Sequence, residues 1–322
     1  MEWRNARGRP HPQLWAHGLF SDRAGLYPLD RFHRDLFLND WEIEGRLGRI
    51  NPPESLPLLG DKLLFHLLLD RLRVPVRRPA LAGLVTRGHF TPLGDFATWQ
   101  DAADEPLITK PLRGSGGRGV VRLDRGSPVP HGDGLLIERC IKPHPYARAI
   151  FPGAINTVRI MTATDPDNGE IFILGAAHRF ATMLSAPTDN RKKGGIVSAI
   201  EPESGVLSAA IGVGAGNRRL VHRVHPETGG SIENVVVPHW QAVKDAAFVL
   251  ARTFPELVLV GWDLAVAEDG PVVIEGNATL PNPNLMQAHA PLLLDARPRR
   301  FFEHHGIITG QRAQQARDLA GS

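Results

Sequence analysis

Residues 106–123 read Pro-Leu-Ile-Thr-Lys-Pro-Leu-Arg-Gly-Ser-Gly-Gly-Arg-Gly-Val-Val-Arg-Leu. An apolar run ends at Lys110 and leads into a loop with four glycines between Gly114 and Gly119; a β-branched run follows. Glycine has no Cβ and accepts positive φ, so such a backbone can close on an anion. Successive N–H groups then form a concave donor surface for phosphate. Lys110 and Arg113 or Arg118 would add positive charge.

Gly114, Gly116 and Gly119 match G-x-G-x-x-G in form. The dinucleotide fingerprint needs a helix after the loop. Here Val120-Val-Arg-Leu123 is short and β-like, and Asp124-Arg-Gly-Ser-Pro128 ends it. No Gly-Lys-Ser/Thr follows, which excludes Walker A. The segment reads as strand, loop, strand: a lid over a triphosphate. An ordinary glycine hairpin is the other reading of the loop alone.

The chain has 322 residues, enough for two or three modules and a large core. Its 42% apolar and 22% charged residues suit a water-soluble globular protein. No apolar run approaches the roughly 20 residues of a membrane span. Met1-Glu-Trp-Arg-Asn-Ala-Arg7 lacks the apolar stretch of a signal peptide. The net charge is +3 and the basic residues are scattered, which favours anionic small molecules over nucleic acid. The single cysteine, Cys140, suits a reducing cytoplasm and sits in an apolar run without activating neighbours. The sequence carries no sign of oligomeric state.

Residues 1–60 are rich in Arg, Pro and aromatics, and Tyr27 to Leu47 has mixed helical spacing, so a small, mainly helical packing segment is expected. Asp61 to Leu72 repeats apolar residues at helical spacing behind an acidic start. Lys62, in its first turn, reads alone as a surface lysine. Leu135-Leu-Ile-Glu-Arg-Cys-Ile141 is a strand with one acid, Glu138, among apolar residues; it needs a partner, and a salt bridge at a strand edge is the plain reading. Strands are expected at Asn156–Thr164, Glu170–Ala177, Ile196–Ile200 and Val206–Ile211, with a helix over Val237–Phe254 and a helical end over Leu292–Leu319. Asp189-Asn-Arg-Lys-Lys-Gly-Gly195 is a charged loop.

Leu257 to Ala267 and Pro271 to Asn277 form two strands around Glu268-Asp-Gly270. A three-residue connection puts Asp263 opposite Glu275. Asn277 lies two residues on, on the same face. Three oxygen ligands on one side suit Mg²⁺, which keeps waters and substrate phosphates as its remaining shell. Three unrelated polar residues at a sheet end would look the same. The 14 histidines show neither H-E-x-x-H nor Cys/His spacing, against zinc. There is no G-x-S-x-G element.

The order of these parts over residues 60–290 resembles the ATP-grasp superfamily. The run from glycine loop through Asn156-Thr-Val-Arg159 to Gly261-Trp-Asp263 and Glu275-Gly-Asn277 is most similar to its sugar-transfer-associated group. The resemblance implies an α+β ATP-grasp fold, with two α+β subdomains gripping ATP and a small mainly helical N-terminal segment. Residues 1–60 would be that segment, 61–141 the nucleotide-lid subdomain and 142–322 the catalytic subdomain. It further implies that Lys62 and Lys110 meet ATP phosphates or adenine. Arg113 and Gly114, Ser115, Gly116, Gly117 and Gly119 would cover the β- and γ-phosphates. Glu138, Arg139 and Ile141 would form the adenine hinge, with Glu138 near the exocyclic amine. Arg159 and Lys110 would be catalytic at the transferring phosphate, and Asp263, Glu275 and Asn277 would hold Mg²⁺. Many family members place an acid just beyond the hinge to hold the ribose; Lys142-Pro-His-Pro-Tyr-Ala-Arg148 offers none, and leaves His144 as a candidate.

The activity implied is an Mg-ATP-dependent, ADP-releasing carboxylate–amine ligase. It would work through an acyl phosphate on a small metabolite or a cell-surface or natural-product precursor. Arg179, Arg191, Lys192 and Lys193 would bind the carboxylate, or form a solvated charged loop. A small-molecule kinase on the same scaffold and a non-catalytic nucleotide-binding protein are the alternatives. Product chemistry separates the first, and ATP binding without hydrolysis the second.

Overall fold

The computed structural model describes residues 18–19, 23–114 and 116–321. Met1 to Arg7 and Ser115 lie outside the described residues. Two antiparallel sheets organise the chain. The smaller contains β1 (Leu81–Thr86), β2 (His89–Pro92), β3 (Leu107–Pro111), β4 (Val121–Leu123) and β5 (Leu135–Arg139), in the order β2-β1-β5-β3-β4. Its core is local: Ala82, Val85, Leu107 and Ile137 pack on Trp99 from the short helix Trp99–Ala102. β3 pairs with β4 from Leu107↔Leu123 to Thr109↔Val121, so the glycine loop is the tip of a strand–loop–strand unit.

The larger sheet contains β6 (Val158–Thr164), β7 (Ile171–Phe180), β8 (Ile196–Ala199), β9 (Ala210–Gly214), β10 (Arg218–His222), β11 (Leu259–Ala267) and β12 (Gly270–Asn277), in the order β10-β9-β8-β7-β6-β11-β12. Every residue of β11 is buried. A strand covered on both faces reads as a mostly apolar run rather than an alternating one, and β11 departs from this at Asp263, which lines the cleft. One face carries Val260, Trp262 and Leu264 against Val243, Ala247 and Leu250 of the helix Trp240–Thr253. The other carries Met161, Val197 and Leu259 against Phe37, Leu38, Phe301 and Phe302.

Two expectations shift. Tyr27–Leu47 is not a continuous helix; it holds only the short turns Arg34–Leu36 and Trp41–Arg46, and Leu36, Phe37, Leu38 and Ile43 fold onto the larger sheet with the C-terminal helices Ala296–His304 and Gly310–Ala320. The helix Lys62–Arg71 forms as expected, with the Asp61 carboxylate accepting from the Leu64 N–H at its start. Its Phe65 and Leu69 pack on Trp262 and Phe254 of the larger sheet's core, not on the smaller sheet. The strand expected over Val206–Ile211 lies instead at Ala210–Gly214, with Val206 and Leu207 in single bridges.

Candidate active site

A cleft between the two sheets has a volume of about 1890 Å³. Its floor is built by β6, β11 and β12. Asp263 pairs with Glu275 and Gly261 with Asn277. The sequence anticipates this pairing for the wrong reason. The strands meet through a two-residue turn at Glu268–Asp269, since Ala267 pairs with Gly270. That register would set Asp263 against Ile274. A bulge at Ile274 adds one residue to β12 and moves the pairing to Glu275. Val273 points into the helix-covered core, whereas Val272, Ile274, Glu275 and Asn277 all line the cleft. A bulge re-aims side chains in this way. Gly276 between them faces Trp262, and a Cβ there would lie 2.7 Å from the indole.

Asp263 is held by two arginines. Arg159 donates from Nε (2.5 Å) and Nη2 (2.9 Å) to its two oxygens, and Arg179 Nη2 stands 3.0 Å from Oδ2. Burial opposes ionisation, but Arg159 and Arg179 outweigh it and bring the carboxyl down to about 2. The Glu275 carboxyl is pushed up by burial and by the Asp263 charge, against the pull of Lys62, Lys110 and Arg159. Asn277 Nδ2 lies 3.3 Å from Glu275 Oε1. Among the described residues no three His, Cys, Asp or Glu side chains cluster as a metal site, and the set here has two carboxylates and one amide. The set still fits a hard divalent cation. Asp263 Oδ1 keeps a lone pair beyond its Arg159 bond, and an incompletely balanced carboxylate beside it gains from positive charge.

Arg159 therefore differs from the expectation. Its side chain is 2% exposed, and its third bond goes to the Pro281 carbonyl (2.7 Å). It braces Asp263 from the strand beside it rather than offering a free fork to phosphate. Arg179, from β7, is the more open guanidinium; besides Asp263 it pairs with Asp189 (3.5 Å) and Thr157. Asp189 accepts from the N–H (2.7 Å) and hydroxyl (2.5 Å) of Thr157, tying the 189–195 loop to β6. Arg191 is buried and Lys192 and Lys193 are exposed, and all three line the cleft.

Glu138 is buried on β5, 2.7 Å from Lys110 Nζ and 2.9 Å from His66 Nε2. Burial raises its pKa, yet Lys110 and His66 outweigh that and hold the carboxyl below its ordinary range. Glu138 is thus occupied by partners on both sides, which leaves the adjoining backbone rather than its side chain open to a base. His66 was missed by sequence reasoning. The available signal was its position four residues after Lys62, on the same face of one helix. Arg139 stacks 4.8 Å over Phe96 and pairs with Glu105 (2.7 Å). Among the described residues, no backbone acceptor receives the N–H of Ile141.

The lid reaches across to the helix Lys62–Arg71 and to the 189–195 loop. Gly114, Gly116, Gly117 and Gly119 all have positive φ. Lys62 Nζ donates to the Gly114 carbonyl (3.0 Å), Asn190 Nδ2 to Gly116 (2.6 Å) and Lys193 Nζ to Gly117 (3.2 Å). Thr188 leaves no room for a side chain at Gly117, where a Cβ would lie 2.7 Å from its methyl. Lys62 is less basic than usual because of burial, although Glu275 counteracts this. Arg113 is exposed and pairs with Asp61 (3.2 Å). Gly114, Gly116 and Gly117 line the cleft, whereas Gly119 packs against Pro111. His144 turns away: its Nδ1 accepts from the Tyr146 N–H and caps the helix Pro145–Ile150.

The sequence model described as "Sugar-transfer associated ATP-grasp" matches residues 125–291. Comparison with curated proteins gives no match. Among solved structures, the chain is similar to D-alanyl-alanine synthetase A from Vibrio cholerae, at 12% identity and a TM-score of 0.44, over 84% of this chain and 68% of that one. It is similar to an L-amino acid ligase from Bacillus licheniformis, at 14% identity and a TM-score of 0.40, over 69% and 41%. It is also similar to N5-carboxyaminoimidazole ribonucleotide synthetase from Thermotoga maritima, at 12% identity and a TM-score of 0.40, over 71% and 44%. The chain thus spans less than half the length of the last two. No helix among the described residues is long and apolar enough to cross a membrane.

Proposed function

This chain belongs to the sugar-transfer associated ATP-grasp family, and on that premise we propose that it is an ATP-dependent ligase that joins a carboxylate to an amine through an acyl phosphate. The observation that carries this reading is the convergence of Asp263, Glu275 and Asn277 on the cleft face of β11 and β12, beneath a glycine lid and beside Lys62 and Lys110. Mg²⁺ bound there would neutralise charge on the phosphate oxygens as the γ-phosphate moves.

The residues of the chain supply the rest. The hinge backbone at Arg139–Ile141 offers pairing groups to the base. Lys110, fixed by Glu138, and Lys62, fixed on the lid carbonyl of Gly114, set two cations along the path of the phosphates. Arg159 keeps Asp263 ionised and oriented. Arg179, Arg191, Lys192 and Lys193 form a cationic end to the cleft, suited to an acceptor carboxylate. The lid excludes water, which would otherwise hydrolyse an activated acyl group. Residues 61–141 are proposed as the nucleotide-lid part and 142–322 as the catalytic part, with the helix Lys62–Arg71 bridging the two.

The test is ADP release from Mg-ATP across a panel of carboxylic acids with hydroxylamine present. Hydroxamate formed in step with ADP is the expected result. ADP with a stable phosphorylated product and no hydroxamate would point to a kinase. Nucleotide binding without ADP release from any acid or alcohol would point to a non-catalytic binding protein.

A further inference from the structure

The segment that follows β12 lies across the larger sheet at the edge of the cleft. The Pro281 carbonyl accepts from Arg159 Nη1 at 2.7 Å and sits over Gly261, where a Cβ would lie 2.8 Å from it. Met286 sits over Gly175, where a Cβ would lie 2.5 Å from its side chain. Gly261, Met161 and Gly175 are paired across β11, β6 and β7, so the two glycines seat the segment along one row of the sheet. The next row, toward the cleft, is Asp263, Arg159 and Ala177. Asn284 falls between the two seats and lines the cleft.

Asn284 is 4% exposed. Its Oδ1 is sealed from solvent without a hydrogen bond, and among the described residues nothing hydrogen-bonds its Nδ2. A buried amide without a partner is unfavourable, and a hydrocarbon of the same shape would serve the fold better. The polar groups around it are engaged. Arg159 is held by Asp263 and Pro281, Arg179 by Asp263, Asp189 and Thr157, and Asn277 by Glu275. Asn284 adds an unengaged N–H donor beside them, between the carboxylates of the floor and the cationic end of the cleft.

We infer that Asn284 donates from Nδ2 to the acyl oxygen of the activated acid and stabilises the charge that gathers there when the amine attacks. The inference rests on the proposed ligase reading and gives the second of its two steps a residue. In that step the nitrogen lone pair forms the C–N bond and the carbonyl pair moves onto oxygen. Its return breaks the C–O bond to phosphate, and the proton lost from nitrogen leaves on the phosphate. An amide already held in place needs no reorganisation as the charge develops, so such a donor acts strongly in a site closed to water.

The experiment separates the two steps on the full chain, with an acid that the wild type converts to hydroxamate. Transfer to the acid and back is read, without any nucleophile, as movement of ¹⁸O from the β,γ bridge of ATP into the non-bridging positions of the β-phosphate. Onward transfer is read as hydroxamate formed with hydroxylamine. Asn284→Leu is expected to lower hydroxamate formation about a hundredfold. It should leave the isotope exchange within about twofold of the wild type, and unfold at the same or a higher urea concentration. Asn284→Ala, which leaves a space instead of filling it, should show the same split between the two rates whatever its stability. Hydroxamate formed at the wild-type rate by both variants overturns the inference and leaves the ligase reading standing. Exchange and hydroxamate lost together would put Asn284 in binding or phosphoryl transfer, which overturns it as well. A wild type that forms no hydroxamate with any acid removes the ligase reading and the inference with it.

Discussion

Glu275 stands opposite Asp263 one residue out of step with the turn that joins their strands, and Ile274 is the extra residue that makes it so. The bulge brings two carboxylates together in a buried place, where burial and the Asp263 charge both work against ionised Glu275. Glutamine has nearly the same shape without the charge. Glu275→Gln should therefore abolish ADP release while leaving the melting temperature equal to or above that of the wild type. Thermal unfolding and an ADP assay on one sample check both halves. Wild-type turnover in this variant would remove Glu275 from the site.

Lys110 and Glu138 should behave as a unit. Removing one member of a buried ion pair leaves the other uncompensated and costs about 3 kcal/mol or more. Lys110→Ala should lower stability by about that amount and weaken ATP binding at least tenfold. The double variant Lys110→Met with Glu138→Gln should recover most of the stability and none of the nucleotide affinity. Urea unfolding and nucleotide titration separate the two effects.

Arg159 and Arg113 offer a contrast within one cleft. Arg159 is buried and bonded to both oxygens of Asp263, whereas Arg113 is 83% exposed with a single pairing to Asp61. Arg159→Ala should destabilise by about 3 kcal/mol. Arg113→Ala should change stability by less than about 1 kcal/mol, because water screens an exposed pair. Denaturant midpoints for the two variants give the comparison directly; similar values would mean that Arg159 does not brace Asp263.

Much of this arrangement was legible from local pattern. The mostly apolar run of β11, broken by Asp263, the glycine-rich tip between β3 and β4, and the helix Lys62–Arg71 each follow from their own residues. The i, i+2 spacing likewise puts Glu275 and Asn277 on one side, but what turns that side toward Asp263 is the bulge. What escaped is non-local. A bulge leaves no mark in a run such as Pro271-Val-Val-Ile-Glu275, since it depends on how that run meets its neighbour. His66 meets Glu138 only after the helix has docked on the larger sheet, 72 residues away in sequence. The second apolar core joins Phe37 to Phe301, and no periodicity in either segment announces the other. The resemblance puts Arg159 at the transferring phosphate; the sequence shows its charge but not that Asp263 stands opposite it on the neighbouring strand.

Stability should fall on mild acidification. Burial lowers the pKa of His178 from 6.5 to about 3, and that of His289 from 6.5 to about 4. The neutral rings hold fixed partners: Tyr146 and the Arg179 carbonyl for His178, Ser208 and the Val197 carbonyl for His289. Below pH 6.5 the unfolded chain takes up protons that the folded chain refuses, so stability is lost as pH falls toward 4. Each histidine contributes a slope of up to about 1.4 kcal/mol per pH unit. Urea unfolding between pH 4.5 and 7 should show this decline, and His289→Gln should flatten it by about one proton. An unchanged slope in that variant would show that His289 is protonated in the folded state.

In the proposed reaction the phosphoryl group passes to a carboxylate before the amine attacks. The most direct measurement uses an acid that yields hydroxamate, labelled with ¹⁸O in its carboxylate, together with Mg-ATP and an amine. Attack on an acyl phosphate leaves one carboxylate oxygen on the departing phosphate. One ¹⁸O in the released inorganic phosphate is expected for each amide formed. Amide formed with unlabelled phosphate would rule out an acyl phosphate.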